Sequence, residues 1–237
     1  MRFSLCHARE SHMQDVHLID KQVIKIEVIS DIVCPWCYIG KRRMEKAIEL
    51  ASNRLSVEVE YFPFELNPHM PPGGEDYRTY LIGKYGSEER FHELTDHIKI
   101  IAAREGLEYN LHLQQTYPNT RNMHRVIMIA RDEGKQPQVV ERFFKAYFTE
   151  GVDLTRIENL VRLSGEAGMD GEMIAQLLDS NVGVLEIEMA EKELHDLGIT
   201  SVPLYIVENR WTISGAQSVE AFTRVFDQAA AMSNQVH

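Results

Sequence analysis

Cys34-Pro35-Trp36-Cys37 stands where a strand pattern hands over to a helix pattern, and this junction restricts the chain more than any other feature. Upstream, residues 21–30 alternate: Val23, Ile24, Ile26, Val28 and Ile29 are interrupted by Lys25 and Glu27, which predicts a buried strand. Downstream, Met44, Ala47, Ile48 and Ala51 share one face at helical spacing. Residues 56–64 then alternate again, with Val57, Val59 and Tyr61 against Glu58 and Glu60. The opening is strand, helix, strand, which favours a parallel pair joined by a right-handed crossover. Cysteines three residues apart on a helix are neighbours on one face, within reach of a disulfide. At the helix start, free N–H groups and the positive dipole end stabilise a thiolate, and Pro35 suits the first turn because its missing N–H has no helical partner there. Cys34 therefore reads as a nucleophile, and Cys37 as the thiol that attacks the mixed disulfide.

Two other uses of this spacing compete with the redox one. A zinc half-site needs a second Cys/His pair, and none lies at compatible spacing. Two merely buried cysteines would leave their position at a helix mouth unexplained. The third cysteine, Cys6, falls in residues 1–22, a polar stretch that reads as a loose tail without metal-site spacing.

Beyond residue 65, Pro68, Pro71, Pro72 and two glycines break the strand pattern, and the chain up to residue 197 then reads as helix. Phe91, Leu94, Ile98 and Ile101 form one stripe; Val139, Val140, Phe143, Phe144 and Tyr147 form another, with Phe143 and Phe144 as core. Thr155 with Glu158 predicts a capping box. After Gly198, residues 204–207 and 211–213 read as paired strands, followed by a helix capped by Ser218. The order is βαβ, a block of helices, then αββα.

The net charge of −11 argues against nucleic-acid and anionic-membrane partners, which need a basic face. The longest apolar run, 126–130, is far short of the ~18 residues of a membrane span. Three cysteines are too few for a disulfide-stapled secreted scaffold, and no apolar stretch follows Arg2 and Arg9. A cytoplasmic protein is the expectation, where thiols stay reduced unless catalytic.

The span from residue 23 to 230 resembles the DsbA-like thioredoxin-fold oxidoreductase family, and within it the FrnE-like branch. The resemblance is carried by Ser30-Asp31-Ile32-Val33-Cys34-Pro35-Trp36-Cys37-Tyr38-Ile39-Gly40-Lys41, by Pro63-Phe64-Glu65-Leu66-Asn67-Pro68, by Asn119-Thr120 with His124-Arg125, and by Val202-Pro203 through Ile213-Ser214-Gly215-Ala216-Gln217. It implies an α/β fold: a thioredoxin core, residues 23–65 and 183–237, interrupted by an all-helical insertion, residues 66–182. It also implies thiol–disulfide exchange by Cys34 and Cys37, a cis Val202–Pro203 bond facing the dithiol, and a Val202 backbone that accepts an extended substrate. A sister branch, the 2-hydroxychromene-2-carboxylate isomerases and kappa-class glutathione transferases, typically has serine where Cys34 stands and lacks the second thiol. This chain keeps both cysteines and has Ala216-Gln217 where that branch usually holds glutathione with charged residues.

Asp31, three residues before Cys34, can cap the helix, form a turn or handle protons, and its charge opposes a thiolate. Trp36 stands where some relatives have histidine; an exposed tryptophan brings no positive charge and offers apolar contact to a client. Asn119 or Thr120 reads as an N-cap, and the resemblance places His124 over the dithiol. Lys41, Arg42 and Arg43 read as a solvated face, or as a lure for glutathione carboxylates. The expected activity is dithiol–disulfide exchange on protein or low-molecular-weight disulfides, with no metal or organic cofactor and with glutathione as a conceivable co-substrate. A glutathione-dependent isomerase or transferase, and a redox-inert chaperone or binding module on the same fold, are the alternatives. Neither client nor oligomeric state is written in the sequence.

Overall fold

The computed structural model describes residues 21–233; Cys6 and residues 1–20 of the predicted tail lie outside them, while Gln22, assigned to the tail, is the first residue of a strand. Strand β1 (Gln22–Ser30) leads through a short turn into helix α1 (Pro35–Ala51), and β2 (Leu55–Pro63) returns parallel to β1. The chain then runs through β3 (Glu75–Asp76), α2 (Tyr77–Tyr85), α3 (Glu88–Arg104), a 3-10 turn (Leu111–Leu113) and β4 (Thr116–Tyr117). Helices α4 (Arg121–Asp132), α5 (Gln136–Phe148), α6 (Ile157–Glu166), α7 (Gly171–Leu178) and α8 (Val184–Asp196) follow. Strands β5 (Leu204–Val207) and β6 (Trp211–Ser214) and helix α9 (Val219–Ser233) close the chain. The main sheet has the order β2-β1-β5-β6, with β5 antiparallel to β1 and to β6. This is an α/β thioredoxin fold of the DsbA-like kind, with helices α2 to α8 lying in sequence between the parallel and antiparallel parts of one sheet.

The alternation read in the first strand is the burial pattern of β1: Ile24, Ile26 and Val28 are buried while Val23 and Lys25 are exposed. Helices α1 and α9 pack on each other, and α9 also packs on β1, β5 and β6. Helices α4, α5 and α8 pack on β2. There Gln136, at the start of α5, works as a substitute strand: its Oε1 accepts from the Tyr61 N–H at 2.8 Å and its Nε2 donates to the Tyr61 carbonyl at 2.9 Å. The side-chain amide thus occupies part of the open edge of β2.

Several local expectations are corrected. The stretch after residue 65 is not all helix: Glu75 pairs with Tyr117 and Asp76 with Thr116 in a two-stranded ribbon. Helix α2, which follows it, lacks a sustained apolar period but is capped by Asp76, whose carboxylate accepts from the Thr79 N–H. Thr155 forms no capping box. Its N–H and hydroxyl both donate to Asp153, and α6 starts only after Arg156. Ser218 does cap α9, accepting from the Ala221 N–H at 3.4 Å.

Candidate active site

Helix α1 begins with its cap at Cys34, whose backbone is extended (φ −85°, ψ 111°), and Pro35 opens the first turn. The Cys34 N–H donates to the Asp31 carbonyl at 3.1 Å, which closes the turn out of β1 and fixes where the sulfur leaves the backbone. The Cys37 N–H donates to the Cys34 carbonyl at 3.1 Å and brings the second sulfur to the same side. Both are free thiols, at 4% and 2% exposure. The mouth is braced from the helical segment by Tyr109, whose hydroxyl donates to the Pro35 carbonyl at 2.8 Å. Behind it, Tyr38, Tyr109 and Phe148 stack with nearly parallel rings.

Across the mouth lies the turn before β5. The Val202–Pro203 peptide is cis, and the Cys34 thiol donates to the Val202 carbonyl at 3.7 Å. Pro203 is buried and Val202 half-buried. Gly40 makes the close approach possible: a Cβ there would lie 2.2 Å from the Tyr205 hydroxyl and 3.3 Å from Pro203 Cγ. The Tyr205 hydroxyl, fully buried under the dithiol, has no hydrogen-bond partner.

The two sulfurs differ in surroundings. Burial pushes the Cys37 thiol well above its ordinary value, and the neighbouring Cys34 adds to this. The Ser30 hydroxyl and the Asp31 backbone act in the other direction. Cys37 is therefore held as a neutral thiol, and its thiolate has hydrogen-bonding partners ready when it forms. Apolar packing continues beside the mouth in a cavity of about 70 Å³ lined by Val33, Pro35, Leu66, Tyr85, Tyr117 and Tyr147 among others.

The Asp31 side chain does not cap α1, since neither of its oxygens accepts from an N–H of that helix. Its fully buried carboxylate accepts from the Leu66 N–H at 2.8 Å, and its other oxygen lies 3.3 Å from His124 Nε2. That second contact is an ion-pair distance without hydrogen-bond alignment, so Asp31 Oδ1 and His124 Nε2 are both left unbonded. His124 is 4% exposed, and Asp31, Glu191 and Glu65 face it. Its partner is thus the carboxylate before the dithiol. Thr120 occupies the cap of α4 without a side-chain bond, while Asn119 Oδ1 accepts from the Arg121 N–H. Buried Arg125 donates to the carbonyls of Leu177, Ser180 and Val182, closing the C-terminal end of α7.

Trp36 is half-buried against the core rather than fully exposed. The basic run is corrected further. Lys41 is 2% exposed, and its ammonium reaches Glu45 at 2.6 Å and Glu141 at 2.5 Å. Arg42 pairs with the same two carboxylates, and Arg43 with Glu105. Sequence reasoning missed this cluster because α5, which supplies Glu141, is distant in sequence. A lysine on the same face of α1 as Met44 and Ala47 was the available signal.

A family model described as a DSBA-like thioredoxin domain matches residues 25–227. The uncharacterized protein YwbO of Bacillus subtilis (strain 168) is 28% identical over 202 residues, spanning 85% of this chain and 94% of its own. A solved structure of a probable DsbA oxidoreductase from Streptomyces coelicolor is 33% identical, with TM-score 0.81, and 88% of this chain and 90% of that one are covered. More distant structures share the fold. They are a 2-hydroxychromene-2-carboxylate isomerase (17% identity, TM-score 0.63, 90% and 96% covered) and the cytosolic disulfide reductase DsbM from Pseudomonas aeruginosa with GSH (16%, 0.58, 90% and 98%). With the match running from the first strand into the last helix, the chain belongs to the DsbA-like thioredoxin domain family.

Proposed function

We propose that this protein is a thiol–disulfide oxidoreductase working through Cys34 and Cys37. The observation that carries the reading is a free thiol at the cap of α1, 3.7 Å from the Val202 carbonyl, with a second, buried thiol one turn behind it. The thiolate of Cys34 attacks one sulfur of a substrate disulfide. A Cys34–substrate disulfide forms and one substrate thiolate leaves. Cys37 then loses its proton and attacks Cys34 Sγ; the intramolecular disulfide forms and the second substrate thiolate leaves. Two electrons pass to the substrate, and two protons follow them to its thiols. The reverse sequence oxidises a dithiol, and the partner's potential sets the direction.

The substrate is a protein or low-molecular-weight disulfide. An extended segment would lie along the Val202 backbone, with Trp36 as apolar contact. Glutathione is a fitting thiol to regenerate the pair, a choice supported by DsbM having been solved with it. Run in the reductive direction, this chemistry suits the cytoplasm, the location we propose. No described helix is long and apolar enough to cross a membrane. Neither metal nor organic cofactor enters the scheme.

Insulin reduction driven by dithiothreitol is the test. Turnover that vanishes in Cys34→Ser is expected. Turnover equal in wild type and Cys34→Ser would overturn the reading in favour of a redox-inert binding module. Turnover of an aromatic substrate that needs glutathione but tolerates Cys37→Ser would favour the isomerase or transferase chemistry instead.

A further inference from the structure

A carboxylate with no solvent exposure, three residues before a nucleophilic sulfur, works against that sulfur. Asp31 is such a group. What meets it is an imidazole from another part of the fold: His124, one turn into α4. The pair bridges the α1 mouth and the helical segment, and the Leu66 N–H fastens the second carboxylate oxygen to the chain leaving β2.

The surroundings add negative charge. Glu65 is 5% exposed, and Glu191 on α8 accepts from the Glu65 N–H at 2.7 Å. Arg121, on the same helix as His124, engages Glu65 at 2.8 Å and Glu188 at 3.2 Å, so its charge is already matched. Tyr117 and Tyr147, also within the field of Asp31, are neutral. The cation left to offset Asp31 is therefore the imidazolium of His124. Burial alone would keep that ring neutral, but Asp31, helped by Glu191 and Glu65, outweighs burial and holds it above its ordinary value. The charged groups are not arranged as a metal site, for no group of three or more His, Cys, Asp or Glu among the described residues could hold an ion.

We propose that His124 and Asp31 form a charge couple that tunes the Cys34 thiolate from the helical segment, the imidazolium cancelling the field of the carboxylate at the mouth. The inference rests on the dithiol reading above. Both are positioning residues, since neither touches the reacting sulfurs. The couple makes helix α4 part of the redox site. Removing the imidazole leaves a bare carboxylate and disfavours the thiolate, whereas removing the carboxylate lets burial return the ring to neutrality and leaves the couple uncharged. Removing both returns the site to near neutrality. A packing role has no such sign.

The test uses the full chain in a Cys6→Ser/Cys37→Ser background, where Cys34 is the remaining thiol. Iodoacetamide alkylation is measured at a fixed pH on the rising part of the rate profile, and folding is checked by urea denaturation. His124→Gln should slow alkylation on the order of threefold to tenfold, the size expected of a unit charge in a partly screened site. Asp31→Asn, and Asp31→Asn/His124→Gln, should both lie within about twofold of the parent, so that the second substitution rescues the first. In the otherwise native dithiol chain, the equilibrium constant with glutathione should shift in His124→Gln and return in the double variant. Should His124→Gln fail to fold, the pH profile decides: the parent's rate should carry a second inflection as the imidazolium loses its proton, and Asp31→Asn should lack it. A His124→Gln rate equal to the parent's, a double variant as slow as His124→Gln, or a profile unchanged by Asp31→Asn overturns the couple. A wild-type protein, with Cys34 and Cys37 both present, that alkylates normally yet reduces no disulfide refutes the dithiol reading instead.

Discussion

Along the body of α1, Lys41 and Arg42 meet Glu45 and Glu141 in a cluster where every charged group has hydrogen-bond partners. At its mouth, Asp31, His124 and Glu65 meet with Asp31 Oδ1, His124 Nε2 and Glu65 Oε2 unbonded. Both clusters join α1 or its approach to the helical segment, through α5 in one case and α4 in the other. The first has cations and anions two against two. The second concentrates carboxylates around one histidine. A fully satisfied buried network rigidifies and specifies a packing arrangement, whereas groups left short of partners hold energy that a change of charge nearby can draw on. The difference assigns the α5 cluster to anchoring and the mouth cluster to tuning.

The comparison would break first at the sulfur itself. Cys34→Ser should abolish turnover, and Cys37→Ser should accumulate mixed disulfides that non-reducing electrophoresis displays; equal trapping by both would reverse the assigned roles. Next in size is the anchoring cluster. Lys41→Met removes a buried ammonium whose two carboxylate partners stay about a third exposed and keep Arg42, so the loss should be about 2–3 kcal/mol, that of hydrogen bonds between charged groups. Urea or thermal denaturation should show it, while turnover of the folded fraction stays within about twofold. A large loss of activity without loss of stability would move this cluster into the site.

Gly40, one residue before Lys41, tests the close approach of α1 to β5. Gly40→Ala places a methyl against the Tyr205 hydroxyl and Pro203 and should cost about 1–3 kcal/mol through forced repacking, again read by denaturation.

The smallest effects are in pH dependence, and their signs are opposite. For Glu141, burial raises the carboxyl, but Lys41 and Arg42 outweigh it and hold it below its ordinary value. Its contribution is complete above the unfolded value of about 4.3 and is lost as pH falls through the lower folded value. His124 is held above its ordinary value, so its contribution is complete below about 6.5 and is lost as pH rises through the higher folded value. Stability profiles of Glu141→Gln and His124→Gln should therefore flatten on the acid and the alkaline side respectively. Flattening on the same side would erase the distinction between the clusters.

How far the sequence reaches depends on whether a signal is local. Alternation in residues 21–30 and the helical period after Cys37 express β1 and α1 directly, because each element must bury one face. The cap position of Cys34 follows from the same junction. The two-residue ribbon of Glu75 and Asp76 was illegible, being too short to show a period. The sequence suggests an exposed Trp36, whereas it is half-buried against the core.

By itself the sequence determined the dithiol, its position at a helix mouth, the βαβ and ββ segments and the family to which they belong, since these depend on neighbours along the chain. Only the tertiary structure decided that Lys41 is buried, that Gln136 occupies the β2 edge and that His124 faces Asp31. The physical reason is the same in all three: a polar side chain goes inside only where a partner is waiting, and these partners come from elements far away in sequence.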